Sequence, residues 1–208
     1  MHLKHSFRYT CDDWASILAG VCNIADLVKS IEAHAKKSVP PIFDKETTAK
    51  RAYKYAGGAF EVFVEYFIKS HGVSSEIGIT NYEPIAQLGN TDKDTGVDGT
   101  GIGTNEKPAT VQCKFKTNRT AILSANEDHL CNFAWASVKK YGVDLNDNNN
   151  MLIISTGQEL ASFTAHEMLM DSVRFLGYRE LSKMLDNNFV FWEGFKTATM
   201  QLLPGDNC

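Results

Sequence analysis

Apolar residues recur along this chain with two periods, and the switches between them mark its elements. Asp12 and Asp13 can cap a helix, and Trp14, Ile17, Leu18, Val21, Ala25 and Val28 follow at helical spacing. The pattern predicts a helix that stops before Pro40-Pro41, where proline geometry and the missing N–H forbid continuation. Phe60, Phe63, Val64 and Phe67 then form an i, i+3, i+4, i+7 stripe, a second helix ending at His71-Gly72. Strand-like pieces follow at 75–79, at 82–88, around Val97 and at 109–116. In the last, Thr110, Gln112, Lys114 and Lys116 alternate with Val111, Cys113 and Phe115, a period of two. The Gly-rich link after Asp98, ending in Asn105-Glu106-Lys107-Pro108, reads as a hairpin connection.

A third helix is expected over about 126–141, capped by Asn126, acidic in its first turn and closed by Gly142. Met151-Leu152-Ile153-Ile154 is long enough only for a buried strand. Helices near 160–176 and 179–186 and a terminal strand at 189–192 complete the pattern, with Trp192 in the core or at a sheet edge. The order predicts an α/β domain, a mixed β-sheet flanked by helices. The diproline divides the chain into an N-terminal helical appendage, 1–40, and the main domain, 41–208.

The 208 residues suit one domain with a small appendage. At 43% hydrophobic and 22% charged, the composition excludes disordered, collagen-like and coiled-coil classes. The five cysteines are widely spaced with no C-x-x-C pair, which argues against a disulfide framework or zinc ribbon and for a reducing, cytoplasmic compartment. Residues 1–8 lack the apolar core of a signal peptide, and no apolar run approaches bilayer length, so no membrane is expected. The net charge of -4 argues against coating nucleic acid through bulk positive charge. It leaves room for a nucleic-acid enzyme with metal-binding acids and a local basic track.

The candidate chemistry lies in Asp94-Thr95-Gly96-Val97-Asp98-Gly99 and Val111-Gln112-Cys113-Lys114-Phe115-Lys116. Gln112 and Lys114 are two apart on a strand and share a face, while Val111, Cys113 and Phe115 point into the core. A hairpin would bring Asp98 beside Gln112, so that a carboxylate, an amide oxygen and the Cys113 backbone carbonyl converge. These are hard oxygen donors suited to Mg²⁺. Lys114 beside them can position or deprotonate an attacking water and neutralise a scissile phosphate.

Asp98, the hairpin and Gln112-Cys113-Lys114 resemble the PD-(D/E)XK nuclease superfamily in its variant with glutamine at the second acidic position. More narrowly, Gly58-Ala59-Phe60-Glu61, Gly96-Val97-Asp98 and Val111-Gln112-Cys113-Lys114 are similar, in the same order, to the Mrr-like restriction endonucleases. The resemblance covers about residues 50–160, and no proline precedes Asp98. It implies a restriction-endonuclease-like fold and a Mg²⁺-dependent DNA endonuclease, with Mn²⁺ able to substitute. Hydrolysis would give a 5′-phosphate, typically through a homodimer. At about 100° per residue, Glu61 lies at the edge of the apolar stripe and Glu65 further toward solvent. Glu61 is therefore the preferred further metal group.

Lys116, on the face of Lys114, is the best candidate for a DNA phosphate contact, with Arg119 and Lys54 as further candidates. Lys50 and Arg51 read as a solvated face. Rival motifs fail on spacing. Residues 99–103 lack the Gly-Lys-Ser/Thr of a P-loop. Asp92, Asp94 and Asp98 put Gly96 and Val97 where a calcium loop needs a ligand and a glycine. His129, Cys131 and His166 lack partners at zinc spacing. The same site would serve a junction, flap or homing nuclease. A nuclease-like fold kept only for DNA binding beside a helicase is the reading from another class.

Overall fold

A computed structural model of the chain describes residues 3, 9–41, 44–85, 96–124, 130–147, 150–161 and 172–201. The first helical pattern is two helices rather than one. Helix α1, Cys11–Ile17, is closed at its start by a reciprocal capping box between Thr10 and Asp13. The chain then turns through Gly20 at φ +70°, a left-handed conformation that ends the helix. Asn23 caps α2, Ile24–Ser38, by accepting from the Asp26 N–H, and α2 stops before Pro40 as the diproline requires. Helix α3, Lys45–His71, starts at the Asp44 cap and is buried from Val62 to Ile68. It ends at Gly72, where a Cβ would lie 2.7 Å from the Ile68 carbonyl oxygen, so close approach dictates that glycine.

Residues 75–78 are turn rather than strand, because the Ile77 and Gly78 N–H groups both bond the Ser74 carbonyl. Strand β1, Ile79–Pro84, carries a bulge at Asn81, φ 50°. The Gly-rich segment expected to link strands is itself β2, Gly99–Gly103, antiparallel to β1 and to β3, Pro108–Lys114. Its glycines make room for β1: a Cβ at Gly101 would meet the Ile79 side chain at 2.6 Å, and one at Gly99 the Tyr82 ring at 2.3 Å. The turn falls in 104–107, with Glu106 at φ 64°.

Strand β4, Ile122–Leu123, precedes α4, Leu130–Lys139; residues 126–129 of the expected helix lie outside the described ones. Strand β5, Met151–Ser155, is buried throughout and runs parallel to β3. Strand β6, Glu159–Leu160, pairs with β4, and β7, Val173–Leu176, pairs in parallel with β5. The helix expected near 160–176 therefore fails at both described ends. Val173 and Phe175 pack on one sheet face and Leu176 on the other, a period of two. After α5, Tyr178–Leu185, the predicted terminal strand is instead α6, Phe189–Met200. Asn188 caps it from the Phe191 N–H, and Phe191, Trp192, Phe195, Ala198 and Thr199 are buried at helical spacing.

The result is a five-stranded mixed sheet, β1-β2-β3-β5-β7, with helices on both faces. One core lies between the sheet and α3. Trp14 and Ile17 of α1 and Ile24, Leu27 and Ile31 of α2 share it with Phe60, Phe63 and Phe195. The second core joins the other face, through Met151 and Ile153, to Leu130, Phe133 and Ala134 of α4. Among the described residues Cys11 is disulfide-bonded, which the cysteine spacing did not lead one to expect, and Cys22, Cys113 and Cys131 are free thiols. Among the described residues no helix is long and apolar enough to cross a membrane.

Candidate functional site

The site grows from a fork in the sheet. Strand β2 pairs with β3 from Gly99 opposite Val111, and Asp98 lies one residue before that pairing begins. The Thr110 N–H bonds Asn150 on the β5 side, so alternation turns the Cys113 N–H toward β2. There it donates to Asp98 Oδ2 at 2.6 Å, a side chain standing where a ladder carbonyl would. The Asp98 backbone N–H bonds the Val111 carbonyl, and its own carbonyl accepts from Ile85, so the residue is fixed from both neighbouring strands. The hairpin expected from the sequence thus seats Asp98 against the Gln112-Cys113 segment.

Glu61 reaches this corner from α3. Burial pushes the Cys113 thiol well above its ordinary range, the Asp98 and Glu61 carboxylates push it further, and Lys114 opposes them. The Tyr82 phenol is likewise raised by burial, then by Cys113, Asp98, Glu65 and Glu61. Asp98, Glu61, Cys113 and Tyr82 therefore share one electrostatic neighbourhood. Glu65 is not toward solvent as the helical wheel suggested: it is fully buried, with Lys69 Nζ at 2.5 Å. Helix α3 is covered nearly all round between Val62 and Ile68, so one apolar stripe does not describe it.

Gln112 is also not on a solvated face. Its side chain is fully buried on the α4 side of the sheet, opposite the Cys113 side chain, because both faces of β3 are core. Both amide atoms, Oε1 and Nε2, are buried without a hydrogen-bond partner among the described residues. Gly96, at φ +72°, leaves the space the amide occupies: a Cβ there would stand 2.9 Å from Gln112 Nε2 and 3.4 Å from the Phe133 backbone nitrogen. Lys114, half-buried, ends β3 opposite Ser155; its carbonyl accepts from the Ser155 hydroxyl and the Thr156 N–H. The fork thus sets Asp98 against the Cys113 backbone, with Glu61 within electrostatic reach and the Gln112 amide on the far face of the same strand.

The proposed DNA contacts are more dispersed. Lys116 is half-buried and its backbone is clasped by the Thr156 hydroxyl, which accepts from its N–H and donates to its carbonyl. Arg119 is exposed; it donates to the Tyr178 hydroxyl at 3.0 Å and lies 5.4 Å from that ring's centroid. Lys54 is exposed on α3, one residue after Tyr53, whose hydroxyl donates to the Phe115 carbonyl. Asp92, Asp94, His129 and His166 lie outside the described residues. Sequence patterns missed Tyr82 and Thr156. Tyr82 had a signal in the glycine opposite it, whereas Thr156 had none.

Among the described residues no three His, Cys, Asp or Glu side chains form a metal cage. Comparison of the chain with protein-family models, curated proteins and solved structures found no match.

Proposed function

We propose that the chain is a Mg²⁺-dependent deoxyribonuclease that hydrolyses phosphodiester bonds at the β2–β3 fork. The observation that carries this reading is the Asp98 carboxylate, held by the Cys113 N–H at 2.6 Å beside the strand that bears Gln112 and Lys114. Asp98, Glu61 and the Cys113 carbonyl would supply hard oxygen donors of the kind that hold Mg²⁺ or Mn²⁺. The Gln112 amide, on the opposite face of that strand, is the further polar group: left without a partner it costs on the order of 1–3 kcal/mol, a burden that an apolar residue in the same space would avoid. When bound, the metal supplies Lewis-acid polarisation of a phosphoryl oxygen. Lys114, at the end of β3, would orient the attacking water and neutralise charge on the scissile phosphate. Asp98, tied to the Cys113 N–H, is held in one orientation before substrate arrives.

The restriction-endonuclease-like character of the fold belongs to the same proposal. It is supported by the placement of Glu61 on the helix before the meander, Asp98 at the start of β2 and Gln112 and Lys114 on β3. The test is plasmid incubation with Mg²⁺, against EDTA and Asp98→Ala controls. Cleavage is expected only in the wild type with metal. Cleavage surviving EDTA or Asp98→Ala would overturn these assignments, and DNA binding without cleavage in Mg²⁺ or Mn²⁺ would point to a binding module.

A further inference from the structure

We propose that the outer face of α4 is a stacking surface for unpaired nucleotides of a DNA substrate, an inference that rests on the nuclease reading above. Of the three tryptophans, Trp14 and Trp192 are buried, and Trp135 is 59% exposed. Lys139, one turn further along, holds its ammonium 5.0 Å from the Trp135 ring centroid. Lys140 places its own 5.7 Å from the Tyr141 ring. Trp135 thus stands out from the helix with an ammonium over its ring, in a chain of net charge -4, while Tyr141 is half-buried against the core beneath α4 and brings the second ammonium beside it.

That combination matches a polynucleotide on both of its chemistries. Ammoniums meet phosphates, and an exposed indole stacks on any base, whatever its sequence. The base faces of a duplex are already stacked on their neighbours, so an exposed ring such as Trp135 engages bases that are unpaired. Tyr53 and Phe189 are exposed rings as well, but among the described residues the ammonium over an exposed ring is that of Lys139 on Trp135; Val73, Ile122 and Val190 are aliphatic.

The experiment uses the full chain in EDTA, with an oligo(dT) and a duplex of equal length. Tryptophan fluorescence and the anisotropy of end-labelled DNA are read together. Oligo(dT) is expected to quench the fluorescence of the exposed Trp135. Trp135→Ala should weaken oligo(dT) binding about tenfold and leave duplex binding unchanged, while Trp135→Phe keeps most of the affinity. Lys139→Gln should make the salt dependence shallower. Absence of oligo(dT) binding, binding that leaves the fluorescence unchanged, or full affinity in Trp135→Ala each overturns the proposal. Trp135 is exposed, so a melting curve should show the Ala variant folded, and the Phe variant provides the second reading. Duplex cleavage in Mg²⁺ is measured in parallel. A wild type that stacks oligo(dT) but never cleaves loses the nuclease reading and keeps the stacking surface.

Discussion

Gly99→Ala adds one methyl group where the structure has no room for it. The new Cβ would stand 2.3 Å from Tyr82 Cε2 and Oη, inside the 3.0 Å that real Cβ contacts respect. Tyr82 is 4% exposed and lies just beyond the β1 bulge, so its ring cannot yield without leaving the core. Overpacking of this kind costs about 1–3 kcal/mol. In an unstrained position the same change would stabilise by about 0.4–1 kcal/mol through the unfolded chain, so the sign alone is informative. For a chain of this size the expected loss is about 2–12 °C in Tm. Thermal and urea unfolding measure it, and a cycle with Tyr82→Ala assigns it. Once the ring is gone, Gly99→Ala should cost about 1–2 kcal/mol less than in the wild type. A Gly99→Ala protein as stable as wild type, or an equal cost in both backgrounds, would refute the reasoning.

Gln112→Met replaces an orphaned buried amide by an apolar side chain of similar size. Urea unfolding should find it unchanged or up to about 2 kcal/mol more stable, with Mg²⁺-dependent cleavage largely lost. A destabilised variant would mean that the amide has partners of its own, and a fully active one would remove Gln112 from the site. Lys69→Ala removes the ammonium 2.5 Å from the buried Glu65 carboxylate and should cost roughly 3 kcal/mol in the same assay; a loss under about 1 kcal/mol would mean that the carboxylate's other interactions suffice. Burial pushes the Asp13 carboxyl upward, but the Thr10 N–H, His34 and the Thr10 hydroxyl outweigh it and hold it below its usual 3.8. A depressed folded-state value contributes stability that is present above the ordinary value and lost as pH falls through the depressed one. Asp13→Asn should therefore be less stable than wild type at pH 6, with the gap in urea midpoint closing as pH drops below about 4. A constant gap across that range would place the effect elsewhere.

Much of this architecture was legible because it is local. The Asp12-Asp13 region starts a helix, Pro40 forbids one, and Met151-Leu152-Ile153-Ile154 is too short and apolar to be other than a buried strand. The misreadings share one cause. Residues 189–192 read as a strand and 173–176 as helix because four-residue apolar windows fit either period. What decided them was the neighbour: β5 offered Val173–Leu176 an open edge, whereas the Asn188 cap and the aromatic cluster of α3 drew Phe189–Met200 into a helix. Glycines at 99 and 101 looked like a linker until Tyr82 and Ile79 of β1 were seen to cover them.

By itself the sequence determined the order of helix, meander, helix and strand, and the spacing that sets Asp98 against Gln112-Cys113-Lys114. Periodicity and cap chemistry act over a few residues and need no partner. Only the tertiary structure decided that Gln112 is buried rather than solvated, that Glu65 is enclosed with Lys69, and that Trp135 stands out on α4 with Lys139 over its ring. Those facts depend on what covers each face. A strand buried on both sides and one buried on a single side differ in the chain segments packed against them, not in their own residues.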